Sequence, residues 1–328
     1  MSLSSVQREL INRYQGGLPL VERPYASLAR ALAISEHEVL QTITGLVDSG
    51  VLSRFGPIYN AARLGGGQTL AALEVPEERF AEVADSVNAL PEVAHNYRRA
   101  HRLNMWFVVA TATRDGVADT LQTIAARTGL KVYDFPKQHE FYLGLWLQLA
   151  EDDRVTTVPV PDVGILETPH RLDDLDYRII AATQDGLPLQ EEPFAALAVD
   201  VDTTEDLVRE RLRRMLECGV IRRIGAVPNH YRLGLRGNGM TVWDVPDELA
   251  VALGERVGAL DFVSHSYLRP RHPGVWPYNL FAMVHGQGRD EVHDKAERVA
   301  ALLAPYCRAH DVLFSSEVLK KTGLRLAA

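Results

Sequence analysis

Apolar positions over the first sixty residues recur at helical spacing. Residues 6–14 read as a helix, and residues 25–33 place Leu28, Ala29, Leu32 and Ala33 at i, i+3, i+4 intervals on one face of a second. Ser35 with Glu38 three positions on has the form of a capping box. It opens a third helix through Val39, Ile43 and Leu46, which stops at Asp48-Ser49-Gly50. Residues 51–57 then predict a wing strand, completing a winged helix-turn-helix. Beyond that point the period changes. Residues 69–75 predict a strand, 77–89 an amphipathic helix, 93–99 and 104–111 two strands, 114–128 a helix and 131–135 a strand. The order βαββαβ is that of a ferredoxin-like unit. Residues 141–147 add a further strand.

The chain then repeats itself. Gly17-Leu18-Pro19-Leu20 recurs as Gly186-Leu187-Pro188-Leu189, and the same offset carries Pro24-Tyr25 onto Pro193-Phe194, Gly50-Val51 onto Gly219-Val220, Arg54 onto Arg223 and Asn60 onto Asn229. After a one-residue slip, His95-x-Tyr97-x-Arg99 matches His265-x-Tyr267-x-Arg269; after five more, Asn104 matches Asn279. A register held over so many points marks two fused, paralogous halves. Between them the prolines of 159–169 suit an extended linker. The expected fold is α+β, two tandem repeats. Its parts are a winged helix at 1–64, a ferredoxin-like domain at 68–150, a Pro-rich linker at 151–170, a second winged helix at 171–235 and a second ferredoxin-like domain at 239–328. The second half's strands are expected at 240–245, 263–269, 278–285 and 312–315, with helices at 247–259 and 290–304.

Composition narrows the function. With 46% hydrophobic and 24% charged residues, the 328-residue chain is that of an ordinary globular protein. A net charge of −8 argues against a general attraction to nucleic acid or anionic membranes. No apolar run approaches the roughly 18–20 residues of a membrane helix. The first residues lack a basic and an apolar region, so no signal peptide is expected. Two cysteines, Cys218 and Cys307, make neither a disulfide framework nor a zinc site. The expectation is a reduced, cytoplasmic protein.

Against this acidic background stands one basic segment in each half. His95-Asn96-Tyr97-Arg98-Arg99-Ala100-His101-Arg102 holds three arginines, two histidines and no acid; His265-Ser266-Tyr267-Leu268-Arg269-Pro270-Arg271-His272 is its counterpart. Strand alternation sends His95, Tyr97 and Arg99 to one face and Asn96 and Arg98 to the other. Guanidinium forks capture carboxylates, and imidazole binds metal or moves protons. A single copy would equally suit solvated or inter-subunit ion pairs, but two matched copies point to an anionic ligand. Met105, Trp106 and Phe107 follow directly, and Trp276 and Phe281 follow in the second half, so that ligand is expected to be flat and apolar elsewhere.

A winged helix followed by a ferredoxin-like domain resembles the Lrp/AsnC family of regulators, which makes a DNA-binding protein one reading. Charge opposes it. Residues 35–48 carry Glu36, Glu38 and Asp48 and no Lys or Arg, and the arginines of 203–217 are balanced by acids, whereas a recognition helix needs bases. More specifically, His95-Asn96-Tyr97-Arg98-Arg99 leading to Leu103-Asn104-Met105-Trp106-Phe107 resembles the motif of siroheme decarboxylases. Tyr267-Leu268-Arg269-Pro270-Arg271, Trp276-Pro277-Tyr278-Asn279-Leu280-Phe281, His285-Gly286 and Lys320-Lys321-Thr322-Gly323-Leu324-Arg325 resemble the companion subunit type of that family.

The resemblance implies loss of two acetate carboxyl groups, at C12 and C18, from siroheme. The product would be 12,18-didecarboxysiroheme, on the route to d-type haem. Siroheme's eight carboxylates would meet arginines and its iron a histidine, so no cofactor and no metal site of the protein's own are implied. Siroheme or a related iron tetrapyrrole is the expected partner, with no specific DNA, no membrane, and a homo-oligomer or paralogous subunits as company. A tetrapyrrole sensor without chemistry is the remaining alternative. His101, nearer the hairpin tip, is assigned the proton donor, His95 positioning or iron ligation, and Tyr97 the reserve donor. Substrate contacts are assigned to Arg98, Arg99, Arg102, Asn104, Trp106, His265, Tyr267, Arg269, Arg271, His272, Trp276, Asn279 and His285. The denser first-half segment is favoured as the working pocket. His37 and His170 read as solvated, His139 and His310 as structural, and Gly65-Gly66-Gly67 as a hinge.

Overall fold

A computed structural model describes residues 3–60, 63–161 and 171–321. The first winged helix consists of α1 (Ser5–Tyr14), α2 (Pro24–Leu32), α3 (Glu36–Asp48) and the wing β1 (Leu52–Tyr59). Ser35 caps α3 as its sequence implies: its Oγ accepts from the Glu38 amide at 3.2 Å, and the Glu38 carboxylate accepts from the Ser35 amide at 2.8 Å. The chain continues through β2 (Gly67–Leu73), α4 (Phe80–Asn88), β3 (Val93–Arg99), β4 (Met105–Thr111), α5 (Asp115–Thr128), β5 (Tyr133–Pro136), β6 (His139–Leu143), β7 (Trp146–Leu149) and β8 (Val155–Val158). The second half runs α6 (Asp174–Thr183), α7 (Pro193–Asp200), α8 (Glu205–Glu217), β9 (Ile221–Pro228), β10 (Gly237–Asp244), α9 (Ala250–Gly258), β11 (Val263–Leu268), β12 (Leu280–Gly286), α10 (Arg289–Leu303) and β13 (Ala309–Lys321).

The two halves are built into each other. The wings β1 and β9 pair antiparallel, and Gly56 lies opposite its own repeat equivalent Gly225. A Cβ on Gly56 would come within 2.9 Å of the Gly186 backbone, and one on Gly225 within 2.2 Å of the Tyr14 carbonyl. Only glycine lets the two winged helices close on each other here, around one shared apolar core. The ferredoxin-like units form a single nine-stranded sheet in the order β5-β2-β4-β3-β13-β10-β12-β11-β6. β13 pairs with β10 in its own half and then with β3 of the first, while β6 crosses to pair with β11 of the second. Each half thus covers the other's open edge, and backbone groups that would face water are paired.

Alternation along these strands makes two faces. Met105, Phe107 and Val109 sit under α4 and α5. On the opposite face Trp106, Tyr133 and Phe135 meet Met240, Val242, Phe281, Leu313 and Trp276 in an inner core between the halves.

This exchange corrects several expectations. The strand expected at 141–147 is two, because Gly144-Leu145 separates β6 from β7. The linker expected at 151–170 begins as structure: β8 pairs with β7, and this hairpin is clamped to α1 by Gln15 on Leu147 and Asn12 on Leu149. The first ferredoxin-like domain therefore does not extend to residue 150. β13 is thirteen residues long rather than the four of 312–315, since its second part follows an edge provided by the other half. Gly67 is more than a hinge, as a Cβ there would lie 2.6 Å from Val117 of α5. Residues 162–170, with His170, and 322–325 of the C-terminal motif lie outside the described residues.

Candidate active site

The two faces of β3 divide the first basic segment as alternation requires. Asn96 turns to the helix side, donating to Asn88 of α4 at 3.0 Å, and Arg98 lies 4.2 Å over the Phe80 ring with Glu77 as its ion partner. Arg98 is therefore not on the side of His95. Other proposed contacts are engaged elsewhere. Arg102 pairs with Glu74, and Arg271 with Asp244 and Asp247. These acids come from other segments, which a local reading of the sequence cannot place. The Asn104 side chain bridges the amide and carbonyl of Val75, and Asn279 does the same for Val245. Trp106 and Trp276 are fully buried, 4.9 Å apart in the inner core.

His101 and His272 hold the halves together. His101 accepts from the Leu103 amide through Nδ1 at 3.0 Å and stands edge-on to Trp276, whereas His272 contacts the Asp134 carbonyl at 2.9 Å and the Phe135 ring. His101 lies past the end of β3 rather than beside His95. His310 stacks on Trp243.

On the inner face two matching triads remain. His95 and Tyr97 stack at 6.2 Å, with the Arg99 guanidinium 5.8 Å over Tyr97. His265 and Tyr267 are 6.1 Å apart, with Arg269 4.9 Å over Tyr267. Neither arginine has a carboxylate partner among the described residues. Arg99 donates to the Leu313 carbonyl and Arg269 to the Phe135 carbonyl, leaving the Nε of each buried without an acceptor. Burial lowers both to about 10, so both stay cationic near neutrality. Buried cations with an unmet donor are poised for anions. Burial also brings His95 and His265 down to about 4, and lifts Tyr97 to about 12. Both imidazoles are neutral and the phenol keeps its proton.

A row of contacts joins the triads. Lys321, opposite His95 across β3 and β13, lies 4.6 Å over Tyr231. Tyr231 contacts His230 at 4.3 Å, and His230 stands 5.1 Å from His285. His285 Nε2 is 2.6 Å from Ser264 Oγ, which is 2.7 Å from His265 Nδ1. The row of contacts thus runs over both halves. Sequence reasoning passed over Ser264, His230 and Tyr231. Their signal was the repeat itself: the last two follow Asn229 where Ala61-Ala62 follow Asn60. It also passed over Lys137, Glu140 and Arg222, which the β6 crossover brings beside Tyr267 and which link at 2.6 and 3.5 Å.

The AsnC-like ligand binding domain matches residues 63–142 and 232–320, and the siroheme decarboxylase NirDL-like HTH domain matches 7–52 and 176–222. A siroheme decarboxylase of Hydrogenobacter thermophilus is 34% identical over 97% of this chain and 93% of its own length. Half-length relatives match more strongly. The siroheme decarboxylase NirH subunit of Paracoccus pantotrophus is 61% identical over 47% of this chain and 96% of its own. The NirG subunit of Stutzerimonas stutzeri is 48% identical over 44% of this chain and 97% of its own. The crystal structure of the siroheme decarboxylase NirDL superposes with a TM-score of 0.71 at 31% identity, over 97% of this chain and 92% of that one. Its co-complex with an iron-uroporphyrin III analogue gives 0.69 at 31% identity, over 96% and 92%. The chain belongs to the siroheme decarboxylase family.

Proposed function

We propose that the chain removes the C12 and C18 acetate carboxyl groups of siroheme on the inner face of the sheet. The observation that carries this reading is the pair of partly buried Arg-Tyr-His triads whose guanidinium groups have a buried, unmet Nε and no carboxylate partner among the described residues. Arg99 and Arg269 hold carboxylates of the macrocycle, with the Tyr97 and Tyr267 rings beside them. In the reaction the C–CO₂ bond breaks, its electron pair passes to the methylene and the conjugated ring, and CO₂ departs. A proton then closes the methyl group. An apolar surrounding favours this step, because a charged carboxylate becomes a neutral gas.

The geometry supports a different proton source from His101. His101 is committed to the inter-half contact, so the donor role passes to His95, with Tyr97 beside it. His95 is neutral while the face is empty of anions; a carboxylate brought against it raises its affinity for a proton. It can then deliver that proton to the methylene, a contribution of typically 10²–10⁴-fold. The iron enters with the substrate.

The similarity to separate NirH, NirG and NirDL subunits also supports association with a paralogous, NirDL-type chain. Co-purification of the two from a common host tests that association, and elution as separate species contradicts it. The catalytic reading is tested by anaerobic incubation with siroheme and mass analysis of the pigment.

A further inference from the structure

We propose that Asn238, His285 and Ser264 are positioning residues that hold His265 in a single tautomer, protonated at Nδ1 and bare at Nε2. The inference rests on the decarboxylase reading for its consequence, though not for its geometry. It starts at Asn238, whose Nδ2 donates to the carbonyls of Leu235 and Arg236 at 3.2 and 3.4 Å. The amide cannot flip without turning its oxygen onto two other oxygens. Oδ1 therefore faces His285 Nδ1, which must be the nitrogen that carries hydrogen. His285 is buried, beside His230 and with Lys295 donating to its carbonyl at 2.7 Å, surroundings that keep a second proton off the ring. Its Nε2 is then an acceptor, and the hydrogen of Ser264 Oγ points to it over 2.6 Å. With that hydrogen committed, Ser264 can only accept from His265, so His265 Nδ1 is the N–H over 2.7 Å. His265 Nε2 has no hydrogen-bond partner among the described residues and is left as a lone pair.

Strand geometry explains how adjacent residues make this bond. The register between β11 and β12 slips between Val263 and His265, so Ser264 sits in a β-bulge. A bulge turns neighbouring side chains toward one face and is a common way to aim a group at a site. The first half keeps the slip, between Val93 and His95, without the relay. There Ala94 precedes the histidine, and the cross-strand pair Asn238–His285 is replaced by Gln68–Ala110. His95 Nδ1 is buried without a partner among the described residues. The two histidines therefore differ in chemistry. His265 is a fixed electron-pair donor suited to the substrate iron or to a carboxylic proton, while His95 is free to change tautomer and carry a proton.

The test uses ¹⁵N-histidine spectra of the full chain without siroheme, then turnover and siroheme affinity. The parent is expected to show His265 as the Nδ1–H tautomer, Ser264→Ala a mixed or inverted tautomer, and Ser264→Thr the parent pattern. Ser264→Ala should slow turnover about 10–100-fold, the range typical of groups that orient a ligand, with little change in siroheme affinity. Ser264→Thr should restore it. An Nε2–H signal in the parent, or an unchanged tautomer in Ser264→Ala, overturns the relay. Because the spectra need no substrate, a parent with the expected tautomer but no siroheme turnover would instead overturn the decarboxylase reading.

Discussion

Arg99 and Arg269 give the sharpest handle on substrate recognition. Arg99 is buried and Arg269 half-buried on the inner face, each lies over a tyrosine ring, and the buried Nε of each has no acceptor among the described residues. Replacing either by Met keeps most of the apolar stem in place while deleting the charge. The protein itself loses one bond in each case, to the carbonyl of Leu313 or Phe135. A charge-assisted hydrogen bond to a carboxylate is worth about 1.5–3 kcal/mol, which corresponds to roughly 10- to 150-fold in dissociation constant per arginine. The assay is a Soret titration with two iron porphyrins, one carrying eight carboxylates and one carrying two. Arg99→Met and Arg269→Met should each weaken the eight-carboxylate ligand by that factor and the two-carboxylate ligand by much less. Both variants binding both ligands like the parent would refute the reasoning. Equal losses on both ligands would do so too, by showing that the arginines act through packing.

The remaining expectations concern protons, hairpins and DNA. His95, His230 and His265 are held near 4 by burial against an ordinary value near 6.5, so the unfolded chain takes up protons that the folded one refuses as pH falls from about 6.5 to 4. Stability is full above that window and declines through it, by at most about 3 kcal/mol per ring. Denaturation midpoints that stay level from pH 7 to pH 4.5 would contradict the burial argument. His95→Ala should retain pigment yet slow CO₂ loss at least about a hundredfold, whereas His101→Ala should lower thermal stability and alter turnover only a few-fold; the reverse pattern returns the donor role to His101. No sequence-specific DNA shift is expected, because α3 has no Lys or Arg and Arg209 and Arg211 of α8 are tied to Glu205, Asp206, Asp173 and Asp176. A salt-sensitive, sequence-specific shift at submicromolar protein would contradict it.

Local physics was legible in the chain. The capping box at Ser35, the change of period near residue 68 and the alternation that separates His95, Tyr97 and Arg99 from Asn96 and Arg98 all depend on near neighbours. What escaped depends on contacts between the halves. The acids that neutralise Arg98, Arg102 and Arg271 come from other segments, so a run without acids looked more available than it is. The crossing of β6 and the length of β13 follow from edges that exist only once both halves are folded. Ser264 and His230 were visible as departures from the repeat, at Ala94 and Ala61, but a comparison that looks for agreement passes over such differences.

The central claim is tested most directly by incubating the purified chain with siroheme under anaerobic conditions and weighing the extracted pigment. The account predicts a product lighter than siroheme by two molecules of CO₂, with the iron and the macrocycle intact, formed through an intermediate that has lost one. Siroheme that binds and is recovered with all eight carboxylates would contradict it and leave a tetrapyrrole-binding protein without chemistry.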